Sequence, residues 1–155
     1  MRFNSKKGLL MLSVIVFVTT LLLYLLFSSL SNTQKNLAMW IPSIVLMLAV
    51  PVFLLWIYLQ TYYVLEDGEL KYVSGPIRGS VRISKIEQVI KNTTLWVGLK
   101  PATARNGIIV KYDNYNELYI SPANNEKFIE KLLELNPDIV VKDDKDDIFP
   151  GAPIN

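Results

Sequence analysis

The sequence predicts a membrane helical hairpin followed by a small α+β domain, a bent antiparallel β-sheet capped by one C-terminal amphipathic helix. Three observations carry that expectation. Gly8 to Leu30 and Leu37 to Leu59 are apolar, uncharged runs separated by only six residues. All 14 acidic residues lie between Glu66 and Asp147, so the first 65 residues contain none. From Gln60 onward the texture changes to short alternating segments with turn signals, and these end in a single helical pattern.

Charge and composition remove most chemistry. The first 65 residues carry Arg2, Lys6, Lys7 and Lys35, a net +4, whereas the remainder sets 12 bases against 14 acids, a net −2. The overall +2 therefore describes no real surface and does not predict a nucleic-acid partner, because the excess positive charge sits beside apolar runs. With no cysteine and no histidine in 155 residues, thiol nucleophiles, disulfides, iron-sulfur clusters, Ser-His pairs and His- or Cys-ligated metals are excluded. Asp143 to Asp147 has the charge density of a calcium loop, but Lys145 takes an alternate ligand position and the Gly and terminal Glu of an EF-hand are missing. No metal, no cofactor and no catalytic activity is expected.

The order of elements begins with a short N-terminus, 1–7, expected in the cytoplasm. The run 8–30 spans about 35 Å as a helix, enough to cross a bilayer. A loop at 31–36, expected outside, leads to a second crossing at 37–59. Two such runs in so small a chain leave nothing large enough to bury them as core helices. A cleaved signal peptide competes for the first run, since Arg2, Lys6 and Lys7 precede it and Ser29-Leu30-Ser31 is a small-x-small sequence. Its apolar core exceeds the 7 to 15 residues of a signal h-region, which favours an uncleaved anchor. Bases cluster before the first helix and after the second, at Lys71, Arg78, Arg82 and Lys85, so both termini are expected at the cytoplasmic side of a plasma membrane. Trp40, Trp56, Tyr58, Tyr62 and Tyr63 are the expected interfacial anchors. Pro51 is expected to kink the second helix. Neither run contains an ionisable Asp, Glu, Lys or Arg, which argues against a pump, and neither contains a Gly-xxx-Gly dimerisation pattern.

In the domain, 60–137, Thr61 to Leu65 and Glu69 to Ser74 read as strands joined by an Asp67-Gly68 hairpin turn. Gly75-Pro76 breaks the chain; Val81 to Ile83, Ile86 to Ile90 and a short Leu95 to Val97 supply further alternation. Gly107 to Tyr112 and Glu117 to Ser121 form a second hairpin about Asp113 to Asn116. Ser121-Pro122 offers a helix start, and Phe128, Ile129, Leu132 and Leu133 then fall on one face before Asn136-Pro137. That face is expected to pack on the sheet. The segment 138–155, with Lys-Asp-Asp-Lys-Asp-Asp and two late prolines, reads as an acidic flexible tail.

Two apolar helices followed by Tyr62-Tyr63, Asp67-Gly68-x-Leu70, Gly75, Ile83-x-x-Ile86, Ile109-Val110-Lys111-Tyr112, Tyr119-Ile120-Ser121-Pro122 and Phe128-Ile129-x-x-Leu132 resemble the small bacterial pleckstrin-homology-like (PH-like) membrane proteins. The resemblance covers Tyr62 to Pro137 and is most specific at the Ile-Ser-Pro to Phe-Ile-x-x-Leu junction. It implies a bent sheet capped by the last helix, supplies no catalytic residues, and implies a membrane-anchored, non-catalytic interaction module. An alternative within the same resemblance is bacteriocin immunity or protection against envelope stress. Eukaryotic PH domains often bind phosphoinositides near the first hairpin, but here that hairpin reads Glu66-Asp67-Gly68-Glu69 and repels a phosphorylated headgroup. The expected partners are therefore the lipid bilayer, a protein of unspecified identity, and anionic headgroups held weakly by Lys71, Arg78, Arg82 and Lys85.

Overall fold

Two apolar runs joined by so short a loop can both be long helices only if they lie antiparallel. In the computed structural model, which describes residues 1–30, 37–93 and 100–143, they form α1 (Leu9–Leu30) and α2 (Leu37–Leu59). The start of α1 meets the end of α2: the Lys7 ammonium donates to the carbonyls of Tyr58 and Leu59, the latter at 3.1 Å. A cation there satisfies carbonyls that the last turn of a helix leaves unpaired. Leu9–Ser28 is long and apolar enough to cross a membrane by length and composition, and of α1's described residues only Ile15 is buried. Three of its hydroxyls turn back onto the helix, Ser13 to Leu10 O at 2.8 Å, Thr19 to Ile15 O at 2.7 Å and Thr20 to Val16 O at 2.8 Å, so these need no water. Pro42 and Pro51 lie inside α2.

The first sheet contains β1 (Arg2–Asn4), β2 (Thr61–Glu66), β3 (Glu69–Ser74) and β4 (Ile77–Arg82), paired antiparallel in that order. Alternation sets its faces: Thr61, Tyr63 and Leu65 point inward opposite Ser74, Tyr72 and Leu70. Asp67 and Gly68 take φ of 55° and 72°, the conformation a two-residue hairpin requires. Because β2 leaves directly from α2, this turn lies about 20 Å from the helix end. The next turn, Gly75-Pro76, returns to it. A Cβ on Gly75 would sit 2.7 Å from Ile57 Cγ1, so the turn is pressed against the last turns of α2.

A single 3-10 turn, Ile83–Lys85, leads into the second sheet of β5 (Ile86–Thr93), β6 (Gly107–Tyr112), β7 (Asn116–Ile120) and β8 (Val140–Asp143), in the order β7-β6-β5-β8. One core draws on both sheets and on α3 (Asn125–Leu135), whose Phe128, Ile129 and Leu132 are buried as their spacing predicts. Phe128 is held edge-on between Phe3, at 5.1 Å, and Tyr63, at 6.4 Å.

The differences from expectation lie at the edges. Residues 1–7, in which no strand was expected, contain β1, which pairs with β2, and Phe3, which packs on the core. The segment after Pro137 is not a tail from its start, since Ile139 is buried and Val140–Asp143 runs parallel to β5. Its charges hide a β-branched pair, Val140-Val141, beside one apolar anchor. The N-cap of α3 is Asn124, accepting from Lys127 N at 3.0 Å, rather than Ser121, whose side chain is committed elsewhere. The expected short strand at Leu95 to Val97, the loop 31–36 and residues 144–155 lie outside the described residues.

Ile139→Ala in the full-length chain is expected to destabilise the domain by about 2 to 4 kcal/mol by thermal or denaturant unfolding in detergent. Val140→Ala, at the neighbouring, half-exposed first position of β8, should cost well under half as much, whereas a flexible tail would make both silent.

Candidate functional site

The end of the domain that meets the helices is closed by a buried knot of hydroxyl groups. Ser5, only 3% exposed, brings its hydroxyl 2.9 Å from Thr103 Oγ1 and 2.9 Å from Ser121 Oγ. The Tyr63 hydroxyl donates to Pro101 O at 2.7 Å and accepts from Ser121 N at 3.0 Å. Thr103 donates its hydroxyl to Lys6 O at 2.7 Å, and its N–H reaches Ser121 Oγ at 3.2 Å. Four segments far apart in sequence thus satisfy one another's polar groups where water is excluded.

Backbone bonds extend the knot. Lys6 N donates to Ser121 O at 2.7 Å, Ala123 N to Asn4 O at 2.9 Å, Ser5 N to Thr61 O at 3.1 Å and Gly8 N to Thr103 O at 3.1 Å. Residues 4–8 therefore stitch the first sheet to the end of β7 and to the 101–103 segment. A Cβ on Gly8 would lie 2.3 Å from Thr103 O, so glycine is the residue that lets α1 start this close to the domain. The arrangement joins the segments mechanically. Burial pushes the Tyr63 phenol above its ordinary pKa, with its hydrogen bonds to Ser121 and Ser5 opposing that shift, so it stays protonated as the donor the knot requires.

The expected surface and anchor residues separate. Strand register places Lys71, Arg78 and Arg82 on the outer face of the first sheet, with Arg2 joining them through the Arg2–Val64–Lys71 row. Lys85 is not with them, since it lies in the 3-10 turn and pairs with Asp113 at 2.7 Å. The face is graded: Arg82 stands opposite Glu69 at the far, acidic end, while Arg78 follows the turn that touches α2. Lys71 is shared with Asp67 at 3.5 Å, a half-exposed pair of small energetic weight.

Of the aromatic residues, Trp56 is 41% exposed on α2, with its indole N–H bonded to Gln60 Oε1 at 2.8 Å, and Tyr58 is half-buried beside the Lys7 ammonium. Tyr62 faces outward under the Arg2 guanidinium, 3.8 Å from its ring centre. Tyr63 is no interfacial anchor: it is 0% exposed inside the core, because neighbours on a strand point to opposite faces. The side chain of Trp40 lies outside the described residues. Ser5, Thr103 and Ser121 carry no sequence signal of their role.

Comparison with known proteins agrees with this architecture. Residues 61–136 match the family described as Bacterial PH domain, and this part of the chain is a bacterial PH-like domain. The uncharacterized protein YyaB of Bacillus subtilis (strain 168) is 29% identical over 89 residues, a span covering 57% of this chain and 61% of that protein. No solved structure matches. Strands β1 and β8 fall outside the family match, so the folded unit extends beyond it at both ends.

Tyr63→Phe should destabilise the protein by about 1 to 3 kcal/mol, since it strands the Pro101 carbonyl and the Ser121 N–H in a buried site. Because the folded-state pKa of Tyr63 is raised, its contribution is complete below the ordinary phenol value of about 10 and declines as pH rises through the folded value. Unfolding measured from neutral to strongly alkaline pH should show a smaller alkaline loss in the variant than in the parent.

Proposed function

We propose that this protein is a non-catalytic, membrane-anchored PH-like module, held by a two-helix hairpin at the inner face of a bacterial plasma membrane with both ends of the chain on the cytoplasmic side. One observation carries the reading: the residues before α1 and those after α2 form a single strand pair, β1–β2, at one end of a helix pair whose first member leaves its apolar surface bare. An apolar helix with so little protein against it is at home in lipid. The distribution of bases supports the inward orientation, with Arg2, Lys6 and Lys7 before α1 and Lys71, Arg78 and Arg82 after α2. Participation of residues 2–8 in the domain supports an uncleaved first helix, because cleavage would remove β1 and take Ser5 out of the knot.

The domain then serves as a rigid platform at the membrane for protein or lipid contacts. Arg78, and more weakly Lys71 and Arg82, draw its outer face toward anionic lipid, while the acidic Asp67 turn faces away from the bilayer. Contact of this kind is screened by salt.

The cysteine-free chain permits a direct test. Tyr115→Cys, at a position 94% exposed in the β6–β7 turn, should resist a membrane-impermeant maleimide in intact cells and react after permeabilisation, with the protein still pelleting after alkaline carbonate extraction. Labelling in intact cells would overturn the orientation. Release by carbonate would overturn the anchor.

A further inference from the structure

Where α1 leaves the domain, its first two turns and the 100–105 segment border a half-open cavity of about 260 Å³. Leu10, Met11 and Val14, on one side of α1, line one wall, and Lys100, Arg105 and Tyr119 contribute to the other. The wall positions are fixed. Gly8 N is bonded to Thr103 O, and the Tyr119 hydroxyl donates to Ala104 O at 3.0 Å and accepts from Gly107 N at 3.0 Å. No acidic residue lines the cavity, and among the described residues no ion pair engages Lys100 or Arg105.

We infer that this cavity binds one anionic phospholipid of the leaflet next to the domain, its phosphate between Lys100 and Arg105 and its first methylenes against Leu10, Met11 and Val14. The inference rests on the membrane-anchored reading and gives the lipid contact a defined site, separate from the outer basic face. Charge complementarity sets the headgroup: two cations without an ion pair among the described residues, in a cavity lined by no acid, favour a net-negative diester over a zwitterion. The apolar wall sets the rest of the ligand. A free phosphate in the same place would be desolvated against Leu10, Met11 and Val14 with nothing to satisfy its remaining oxygens. Depth agrees as well, since Val14 lies about 8 Å along the helix from Leu9, where the acyl region of a bilayer begins. The cavity is too small for a whole lipid, so the remaining acyl chain continues along the bare surface of α1.

The test uses the full-length protein in neutral detergent, titrated with a fluorescent phosphatidylglycerol and, separately, with the matching phosphatidylcholine. The expected result is saturable binding of one phosphatidylglycerol per chain, with phosphatidylcholine bound far more weakly. Lys100→Gln/Arg105→Gln, at two exposed positions, should weaken binding by about 30-fold. Val14→Trp, which fills the apolar wall, should weaken it comparably without altering the charge. Thermal unfolding of each variant in the same detergent checks that the fold survives. Unchanged affinity in the folded double variant, equal affinity for both lipids, or displacement by excess inorganic phosphate would each overturn the inference. Carbonate extraction of the parent chain separates the two failures: a protein that stays in the membrane yet binds no phosphatidylglycerol refutes the site alone.

Discussion

The architecture hangs on the burial of Ser5. Its hydroxyl, those of Thr103, Ser121 and Tyr63, and the backbone of residues 4–8 satisfy one another in a place closed to water, so no member can leave without stranding the others. The segment that holds Ser5 runs straight into α1, and the strand beside it comes straight out of α2. Folding of the domain therefore fixes both ends of the helix pair at one place. A flexible linker would let the domain wander; here the junction is part of the core, with Phe3 against Phe128 on one side and Gly8 against Thr103 on the other.

That constraint orders the charges as well. With β2 rising directly from α2, the acidic Glu66 to Glu69 hairpin is carried about 20 Å away, while Gly75-Pro76 and Arg78 return to the helix end. Lys6, Lys7, Lys100 and Arg105 belong to the same near end, by their contacts with the start of α1 or with the segment packed on it. Bases thus gather at the end of the domain nearest the helices, where an anionic surface would meet it. The first hairpin, where a resemblance to lipid-binding PH domains would direct attention, lies at the end of β2 opposite the helices.

Long-range pattern was legible in the sequence and short-range exception was not. Both helices follow from uncharged runs longer than any core helix needs, the β2–β3 hairpin from Asp67-Gly68, and the packed face of α3 from the spacing of Phe128, Ile129 and Leu132. β1 is three residues long, too short to show a period, and β8 is masked by the acids and lysines around Val140-Val141. Tyr63 sits in a row of aromatics that reads as a belt, and only the reversal of faces along β2 takes it inside while leaving Tyr62 out. The knot joins Ser5 to Ser121 across 116 positions, and small hydroxyl residues carry no hint of so distant a partner. Lys71, Arg78 and Arg82 were found as a cluster in sequence, but strand register alone decides that they share a face and that Lys85 does not.

The central claim, that the chain before α1 is a strand of the domain after α2, can be measured directly because the sequence contains no cysteine. Asn4 and Tyr62 face each other across β1 and β2 as a non-hydrogen-bonded pair, where Cα atoms lie about 4.5 Å apart and disulfides form readily. In isolated membranes, mild oxidation of the full-length Asn4→Cys/Tyr62→Cys chain should give a nearly complete intramolecular disulfide, identified by mass spectrometry of the linked peptides. Two thiols that remain separately labelled after oxidation would show that the N-terminal segment is not joined to the domain, and the account built on that junction would fail.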